Sequence, residues 1–502
     1  MELMDALALG FGQALQPLNL WWCLVGVFLG TVIGVLPGLG PTATIAILLP
    51  ITFGLSPVSA LIMLSGIYYG AQYGGSTTAI LINLPGEASS VVTALDGYQM
   101  ARRGRAGAAL AASAIGSFFA GTVATVLLAL FAPPLASIGL LFGPAEYFSL
   151  MVLGLVASIV LAHGSLIKAL GMVLFGILLG LIGQDVQTGT PRFTMNVREL
   201  MDGVGLVLVA MGMFGIGEIV KNLEDPEVRE VMVKQVTGLI PTREDMRRMV
   251  WPILRGTGLG SLLGILPGGG AMLASFAAYT VEKKVVNPPE GFGNGAIEGV
   301  ASPESANNAG AQTSFVPMLT LGIPSNPVMA LMIGALIIQG VTPGPTLVTE
   351  KPEIFWGVIA SMWVGNLMLV VLNYPMIGMW VRLLTVPYAY LFPGILVFCA
   401  VGAFSLSNAT FDLWIMVFFG VLGYVLTKLE CEPAPLLLGL VLGPLMEENF
   451  RRAMTLARGD FLTFAQRPIS AALLLVAVVA VILLMLSPAF QRTREVAFQE
   501  EQ

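Results

Sequence analysis

Long apolar runs separated by short charged segments form the main pattern of this chain. No acidic or basic residue occurs between Asp5 and Glu87, and the same holds for residues 106–145, 305–349 and 468–491. A helix needs about 20 predominantly apolar residues to cross a bilayer. The pattern therefore predicts an all-α polytopic membrane protein with roughly 10–12 transmembrane helices.

Clusters of basic residues mark the predicted loops. One cluster lies at residues 102–105 and a second within residues 221–250, and the positive-inside rule places both in the cytoplasm. Four apolar segments separate the two clusters, which returns the chain to the same side. A third basic group at residues 451–467 predicts another cytoplasmic segment before a last helix near residues 469–488.

These features divide the chain into four parts. We predict an N-terminal transmembrane repeat at 1–220, a cytoplasmic linker at 221–250, a C-terminal transmembrane repeat at 251–450, and a basic segment, last helix and tail at 451–502.

One glycine-rich turn occurs in both predicted repeats. The sequence Leu-Pro-Gly-Leu-Gly stands at 36–40 and Leu-Pro-Gly-Gly-Gly at 266–270, and each is followed by a second polar stretch, at 73–86 and 307–326. We interpret all four stretches as interruptions of helices. The loop after the first copy is basic and the loop after the second is not, so the halves are expected to have opposite orientations. Inverted-topology repeats with broken helices or re-entrant hairpins are the usual build of secondary transporters.

The interruptions also predict a binding chemistry. A Pro-Gly pair within an apolar run leaves backbone groups that lipid cannot satisfy, so such backbone must face protein, water or substrate. The N-terminus of a half-helix attracts an anion, and the carbonyl groups at a helix end can hold a cation. We therefore predict a carboxylate substrate and Na⁺ or H⁺ as the coupling ion, with backbone carbonyls near Gly38 and Gly268 available to Na⁺. No metal ligands are assigned among the side chains.

The candidate substrate-binding residues share a neutral hydrogen-bonding group or a glycine or proline at an interruption. They are Gly38, Gly40, Thr42, Tyr73, Ser76, Thr77, Thr78, Asn83, Pro85, Gly86, Gly268, Gly269, Gly270, Asn307, Asn308, Gln312, Thr313, Ser314, Ser325 and Asn326.

Three acidic residues lie beside the predicted interruptions. Glu304 is the candidate for carrying a coupling proton, and a solvated loop carboxylate is an equally open interpretation. Glu87 and Asp96 lie at the ends of apolar runs and are interpreted as solvated loop charges. His163 is expected at a membrane interface, and residues 291–295 are expected to form a flexible loop.

Several segments together resemble one transporter family. They are Gly34 to Thr44, Tyr69 to Leu81, Ala94 to Gly107, Glu298 to Ala309 and Leu319 to Pro324. The chain resembles the large membrane subunit, of TctA type, of the tripartite tricarboxylate transporters. Ser325, Asn326 and Pro327 depart from the small residues expected there, which puts the substrate in question.

The resemblance implies a function and partners. It implies a subunit of the bacterial inner membrane that uses an ion gradient, needs no cofactor and contacts membrane lipid. It implies citrate or a related carboxylate delivered by a periplasmic binding protein of TctC type, and a small membrane subunit of TctB type. By analogy, the transport domain is expected to move as in elevator-type carriers.

Other classes of protein are weighed against this interpretation. A gradient-independent anion channel remains the alternative, because glycine loops can also line a pore. The single histidine excludes an HExxH site, and no lysine is followed by Ser or Thr as a Walker A loop requires. The sequence therefore predicts neither an enzyme nor an ATPase, and no nucleic-acid partner.

Overall fold

The computed structural model describes residues 2–36, 40–162, 165–185, 187–224, 236, 238–266, 270–384 and 388–486. The helices are α1 (Leu3–Ala14), α2 (Pro17–Val35), α3 (Pro41–Leu48), α4 (Pro57–Ile82), α5 (Val91–Arg102), α6 (Ala106–Gly139), α7 (Pro144–Leu161), α8 (Leu166–Gly180), α9 (Leu206–Ala210), α10 (Gly217–Glu224), α11 (Arg243–Leu263), α12 (Gly270–Val285), α13 (Glu298–Thr313), α14 (Phe315–Leu321), α15 (Pro327–Ile338), α16 (Leu347–Glu350), α17 (Pro352–Asn373), α18 (Ile377–Leu383), α19 (Tyr388–Ser407), α20 (Thr410–Lys428), α21 (Pro433–Leu456), α22 (Thr463–Gln466) and α23 (Pro468–Leu486). Short 3₁₀ turns cover Leu49–Gly54, Ala88–Ser90 and Arg198–Leu200, and a π-helical segment covers Met211–Ile216. Strands β1 (Gly183–Gln184) and β2 (Pro191–Arg192) form a small antiparallel hairpin in which Gly183 pairs with Arg192.

The length and composition of the helices fit a bilayer. Five helices, α2, α6, α7, α17 and α20, are long and apolar enough to cross a membrane. Shorter apolar helices include α8, α15 and the segment Phe392–Ser407. Large apolar side chains such as Trp414 and Leu141 face outward, as expected where lipid is the solvent. The prediction of an all-α multi-pass membrane protein is confirmed at this level.

Helix α6 defines the two faces of the molecule. Its 34 residues span about 50 Å at 1.5 Å per residue, more than the roughly 30 Å of a hydrocarbon core. The ion pair between Arg105 and Asp245, at 2.5 Å, lies at its first end. The ion pair between Glu146 and Arg467, at 3.0 Å, lies just beyond its other end. We call these ends the Arg105 face and the Glu146 face.

The third basic group lies on the Glu146 face, and its predicted position on the same side as Arg105 is wrong. Arg467 pairs with Glu146, and the Arg451 guanidinium lies 2.9 Å from Asp185 in the segment after α8. These arginines are paired with acidic residues distant in sequence, so a count of basic residues alone misassigned their side. Helix α7 begins at the Glu146 face, and α23 packs alongside it. Ser149 and Ser470, each near the start of its helix, are in contact, so the two helices run parallel and α23 ends at the Arg105 face.

Helices α4 and α13 form the centre of the molecule. All residues of α13, and all residues of α4 after Pro57, are buried. Helix α2 packs on α4 and α11 packs on α13 through glycines spaced four apart. A Cβ at Gly30 would lie 2.4 Å from the Ile67 carbonyl oxygen, and a Cβ at Gly260 would lie 2.3 Å from that of Ala306. In both pairs, backbone therefore contacts backbone directly.

Helix α4 runs antiparallel to α13 and α14. Ser76 contacts Glu304 near the start of α13, whereas Tyr68 packs on Phe315 at the start of α14. The interruptions predicted at 73–86 and 307–326 are wrong in their first parts, because residues 73–82 lie within α4 and residues 307–313 within α13. Their hydroxyl groups bond back to carbonyls of the same helix, which lets small polar residues stay helical. The breaks come later: α4 ends at Asn83, Ser314 separates α13 from α14, and α14 ends at Gly322. Asn83 and Gly322 have positive φ.

Helices α11 and α12 form a hairpin that starts and ends at the Arg105 face. Asp245 at the start of α11 pairs with Arg105, and Arg255 pairs with Glu282 near the end of α12. The predicted linker contains the end of α10 and the first residues of α11. The predicted division into repeats and linker stays a prediction.

Candidate functional site

The buried surface between α4 and α13 carries two carboxylates. Glu304, on α13, is fully buried among hydroxyl groups from three other helices. Its oxygens accept hydrogen bonds from Ser76 on α4 at 2.5 Å, Thr93 on α5 at 2.5 Å and Ser113 on α6 at 2.9 Å. We call these four residues the Glu304 cluster. Each oxygen of this carboxylate has at least one hydroxyl donor.

The second carboxylate, Glu87, lies in the turn after α4. It is 9% exposed and accepts hydrogen bonds from the Ser89 hydroxyl and, at 3.2 Å, from the Asn307 amide of α13. The Ser89 oxygen also lies 2.9 Å from Gln72 Oε1 of α4. We call Gln72, Glu87, Ser89 and Asn307 the Glu87 cluster.

Among the described residues, neither carboxylate has a basic partner. Within the described part of the chain, the ion pairs involve other acidic residues, such as Glu282, Glu290 and Glu298. A buried charge without a countercharge is costly. Each carboxylate is therefore stable when it is protonated or when a cation is bound beside it.

Two contacts across the centre are related by one shift in sequence. Asn307 donates to Glu87, and Asn326 donates to the Tyr68 hydroxyl at 3.3 Å. The number of positions from Tyr68 to Asn307 equals that from Glu87 to Asn326. Tyr68 of the first half therefore corresponds to Asn307 of the second, and Glu87 corresponds to Asn326. The same shift relates Gly75, which lies against Glu87, to Ser314, which lies against Asn326.

The candidate residues of α4 have different neighbours. Ser76 belongs to the Glu304 cluster, and the Tyr73 hydroxyl donates to Asn366 on α17 at 2.7 Å. Thr78 donates to the Val35 carbonyl at the end of α2 at 2.8 Å. Thr77 makes only a long contact of 3.4 Å to a carbonyl of its own helix. Of these, Ser76 is the one that the structure joins to a carboxylate.

The candidate residues of the second half line the same buried centre. Asn308 donates to Ser117 on α6 at 2.7 Å, and the Gln312 side-chain oxygen is buried without a partner. Ser314 and Thr313 donate to carbonyls of their own helix, and Ser325 donates to the Ser314 carbonyl at 3.3 Å. Asn326 caps α15 by accepting from the Met329 amide at 3.0 Å.

The glycine turns are described in part. Gly38, Gly268 and Gly269 lie outside the described residues. Gly40 precedes α3 and Thr42 lies in its first turn, whereas Gly270 begins α12 with a positive φ and faces Asn326.

The turn after α4 holds three further candidates. Asn83 ends α4 in the left-handed conformation with an exposed side chain, and Pro85 is half-buried. A Cβ at Gly86 would lie 1.9 Å from the Gly34 carbonyl oxygen, so only glycine fits between the end of α2 and Glu87.

The interpretation of Glu87 and Asp96 as solvated loop charges is wrong. Glu87 is buried in the centre, and Asp96 is fully buried in α5. Asp96 accepts from the backbone amides of Gly293, Gly295 and Ala296 at 2.8 to 2.9 Å and from the Tyr279 hydroxyl. These four hydrogen bonds satisfy its charge and fix the loop before α13, for which the sequence predicted flexibility. His163 lies outside the described residues.

The sequence interpretation also missed the polar partners from α5 and α6. Thr93 and Ser113 donate to Glu304, and Ser117 accepts a hydrogen bond from Asn308. A usable signal was present, because Ser113 and Ser117 are four apart in the otherwise apolar, alanine-rich stretch 106–121 of α6 and therefore share one face.

An ion-pair network at the Arg105 face supports the start of α13. Arg248 of α11 binds Glu290 at 2.7 Å and Glu298 at 2.8 Å. Hydrogen bonds from the Arg248 guanidinium lower the pKa of the Glu290 carboxyl below its ordinary value. The network thus joins α11 to the N-terminus of the helix that carries Glu304.

A cavity of about 470 Å³ lies away from this centre, between α1, α6 and α17. Its lining is mainly apolar and includes Leu130, Pro133 and Trp356. The carboxylate predicted from the sequence would need hydrogen-bond donors or positive charge, which this mainly apolar lining hardly offers.

The apolar helices and the buried carboxylates together define a multi-pass membrane protein with a polar interior. The chain belongs to the tripartite tricarboxylate transporter TctA family, whose model matches residues 20–438. The family resemblance found in the sequence is thereby confirmed.

Two proteins of Agrobacterium vitis are similar to the chain. It is 61% identical over 501 residues, covering 100% of both chains, to a 52.8 kDa protein described as uncharacterized in the TAR-I ttuC' 3' region. A protein described as uncharacterized in the TAR-II ttuC' 3' region is 59% identical over 242 residues, which cover 48% of this chain and 100% of that protein. No solved structure gives a significant match.

Proposed function

We propose that the chain is the large permease subunit of a tripartite secondary transporter that imports citrate or a related carboxylate. The substrate is delivered by a periplasmic binding protein of TctC type, and a small membrane subunit of TctB type completes the complex. The observation that carries this proposal is the match to the TctA family over residues 20–438. The buried carboxylates without basic partners supply a physical basis for ion coupling.

The antiparallel course of α4 and α13 supports the proposed inverted repeats. In the first half α2 packs alongside α4, and in the second half α11 packs alongside α13, each pair through glycines. The contacts of Glu87 with Asn307 and of Asn326 with Tyr68 are those that a two-fold relation between the halves produces. Such a centre, reached from both sides in turn, suits alternating access by an elevator-like movement.

The distribution of basic residues assigns the two faces of the molecule to the two sides of the membrane. The Arg105 face carries Arg105 and the basic residues at the start of α11, which are Arg243, Arg247 and Arg248. We assign this face to the cytoplasm of a bacterial inner membrane. The Glu146 face is then periplasmic, and the binding protein docks there. On this face the arginines are paired with acidic residues.

Glu304 is the proposed coupling residue. Its hydroxyl partners can donate to an ionised carboxylate and can accept from a protonated one. The same three side chains therefore satisfy both states without rearrangement of the helices. Because α13 also carries Asn307 and Asn308, a change of charge at Glu304 acts directly on the candidate substrate residues.

The test is uptake of labelled carboxylates by proteoliposomes that contain the three subunits. Accumulation that collapses when the Na⁺ or proton gradient is removed supports a secondary transporter. Flux that equilibrates substrate at the same rate without either gradient would establish the channel alternative.

The role of Glu304 is tested by separating coupling from substrate exchange. Glu304→Gln keeps the size of the side chain but removes the charge, so we expect gradient-driven accumulation to fall at least tenfold while substrate counterflow continues. Glu350→Gln, at an exposed carboxylate, is the matched control and should behave as wild type. Normal accumulation by the Glu304 variant would contradict the proposed role.

A further inference from the structure

In the Glu87 cluster, one serine hydroxyl faces two oxygen acceptors. The Ser89 oxygen lies within hydrogen-bond distance of both Gln72 Oε1 and Glu87 Oε1, but a hydroxyl group has only one hydrogen to donate. The Asn307 side-chain oxygen is buried and has no partner in the part of the chain that the structure describes. At least one acceptor therefore stays unsatisfied beside a buried carboxylate.

The unpartnered Asn307 oxygen points to a ligand of this cluster. The Asn307 side chain is fully buried, and its amide nitrogen is held at 3.2 Å from Glu87 Oε1. The unpartnered oxygen belongs to the same planar amide group as this nitrogen. A buried polar atom without a partner is uncommon and costs free energy.

The Glu304 cluster provides the contrast. There, hydroxyl groups from three helices supply a donor to each carboxylate oxygen. At Glu87, by contrast, the Ser89 hydroxyl and the Asn307 amide both donate to the same oxygen, Oε1. A cation surrounded by oxygen atoms would offset the charge there. The two carboxylates thus differ in how many of their oxygens receive a hydrogen bond.

We infer that Gln72, Glu87, Ser89 and Asn307 form a binding site for one Na⁺ ion. All four side chains offer oxygen, the ligand type that hard cations prefer. A single carboxylate supplies one negative charge, which matches a monovalent ion. Among the described residues, no group of three or more His, Cys, Asp or Glu side chains is placed to hold a metal ion.

The site joins the two halves of the chain. Gln72, Glu87 and Ser89 come from α4 and the turn after it, and Asn307 comes from α13. A bound cation therefore holds the turn of the first half against the helix that carries Glu304. This assignment rests on the proposed ion-coupled transport and names the ion and its ligands, yet its test does not require transport.

The experiment measures Na⁺ binding by the purified full chain without substrate. Binding of ²²Na⁺ and the apparent Tm are recorded in NaCl and in KCl or choline chloride at equal ionic strength. We expect Na⁺, and neither K⁺ nor choline, to raise the Tm of the wild-type chain. Glu87→Gln should abolish both the binding and the shift, and Asn307→Ala should weaken Na⁺ binding at least tenfold.

Glu350→Gln is the matched control, because it removes an exposed carboxylate that belongs to neither cluster, and it should keep the Na⁺-dependent shift. Absence of Na⁺ binding by the wild-type chain, or Na⁺ binding by Glu87→Gln equal to that of wild type, would overturn the assignment. If Glu87→Gln does not yield folded protein, unchanged Na⁺ affinity in Asn307→Ala would overturn it as well. Carboxylate uptake that proceeds without Na⁺ binding would refute this site and leave the proposed transport function standing.

Discussion

Substitution of Gly260 by alanine tests whether backbone contact between α11 and α13 sets the position of the polar centre. A Cβ at this position would lie 2.3 Å from the Ala306 carbonyl oxygen and 2.7 Å from the Ala306 Cα. Both neighbours are backbone atoms of a buried helix, so no side-chain rotation relieves the overlap.

The size of the perturbation follows from these distances. Contacts of Cβ atoms shorter than 3.0 Å are essentially never observed, so α11 and α13 must separate by at least 0.7 Å, the difference from 2.3 Å. Overpacking of this kind costs about 1–3 kcal/mol. Because α13 carries both Glu304 and Asn307, we also expect the initial rate of uptake to fall at least tenfold.

Gly258 on the same helix is the matched control. A Cβ there meets nothing within 4 Å, and the residue is exposed. Alanine at this position should be neutral or stabilising by up to about 1 kcal/mol, since alanine favours helix over glycine. The assay compares the apparent Tm of both variants in detergent and their uptake in proteoliposomes. Equal values for Gly260→Ala and Gly258→Ala would refute the argument that this contact positions α13.

Three further predictions concern residues around the centre. Asp96→Asn should lower the apparent Tm and uptake, because the carboxylate that accepts three backbone hydrogen bonds becomes an uncharged amide. Unchanged hydrogen exchange of residues 291–297 would contradict this. Asn308→Ala and Thr77→Ala should raise the apparent KM, and unchanged KM in both would remove these side chains from the substrate site. Since Arg248 lowers the pKa of Glu290, this pair stabilises the fold above the ordinary glutamate pKa of about 4.3, and the stabilisation is lost as pH falls through the lowered value. Glu290→Gln should therefore lower the Tm at pH 7 and have no effect at a pH below that lowered value.

The membrane character of the fold could be predicted because it depends on local composition. A run of residues without charge, as between Asp5 and Glu87, has the same preference for lipid wherever it lies in the bundle. The paired glycine turns were visible for a similar reason, since each copy is contiguous. Ser76 and Glu304 were both named as candidates, although nothing in the sequence indicated that they contact each other at 2.5 Å.

The continuity of α4 and α13 was not predicted. Glycine, serine, threonine and asparagine have low intrinsic preference for helix, so residues 73–82 and 307–313 were included in the predicted interruptions at 73–86 and 307–326. In the bundle these small residues allow α2 and α11 to approach closely, and their hydroxyl groups bond to carbonyls of the same helix. Packing between helices overrides the local preference.

The sequence by itself determined that this protein lies in a lipid bilayer, and it determined the helical class, the family and the repeated turn. Each of these depends on residues close together in the chain. Only the tertiary structure decided which charges are buried. Glu87 and Asp96 look alike in sequence to solvated loop residues, yet their partners, Asn307 and the loop at 291–297, come from the other half of the chain. Whether a carboxylate can be buried depends on donors or cations that distant segments bring to it. Hydropathy along the chain contains no record of those distant contacts.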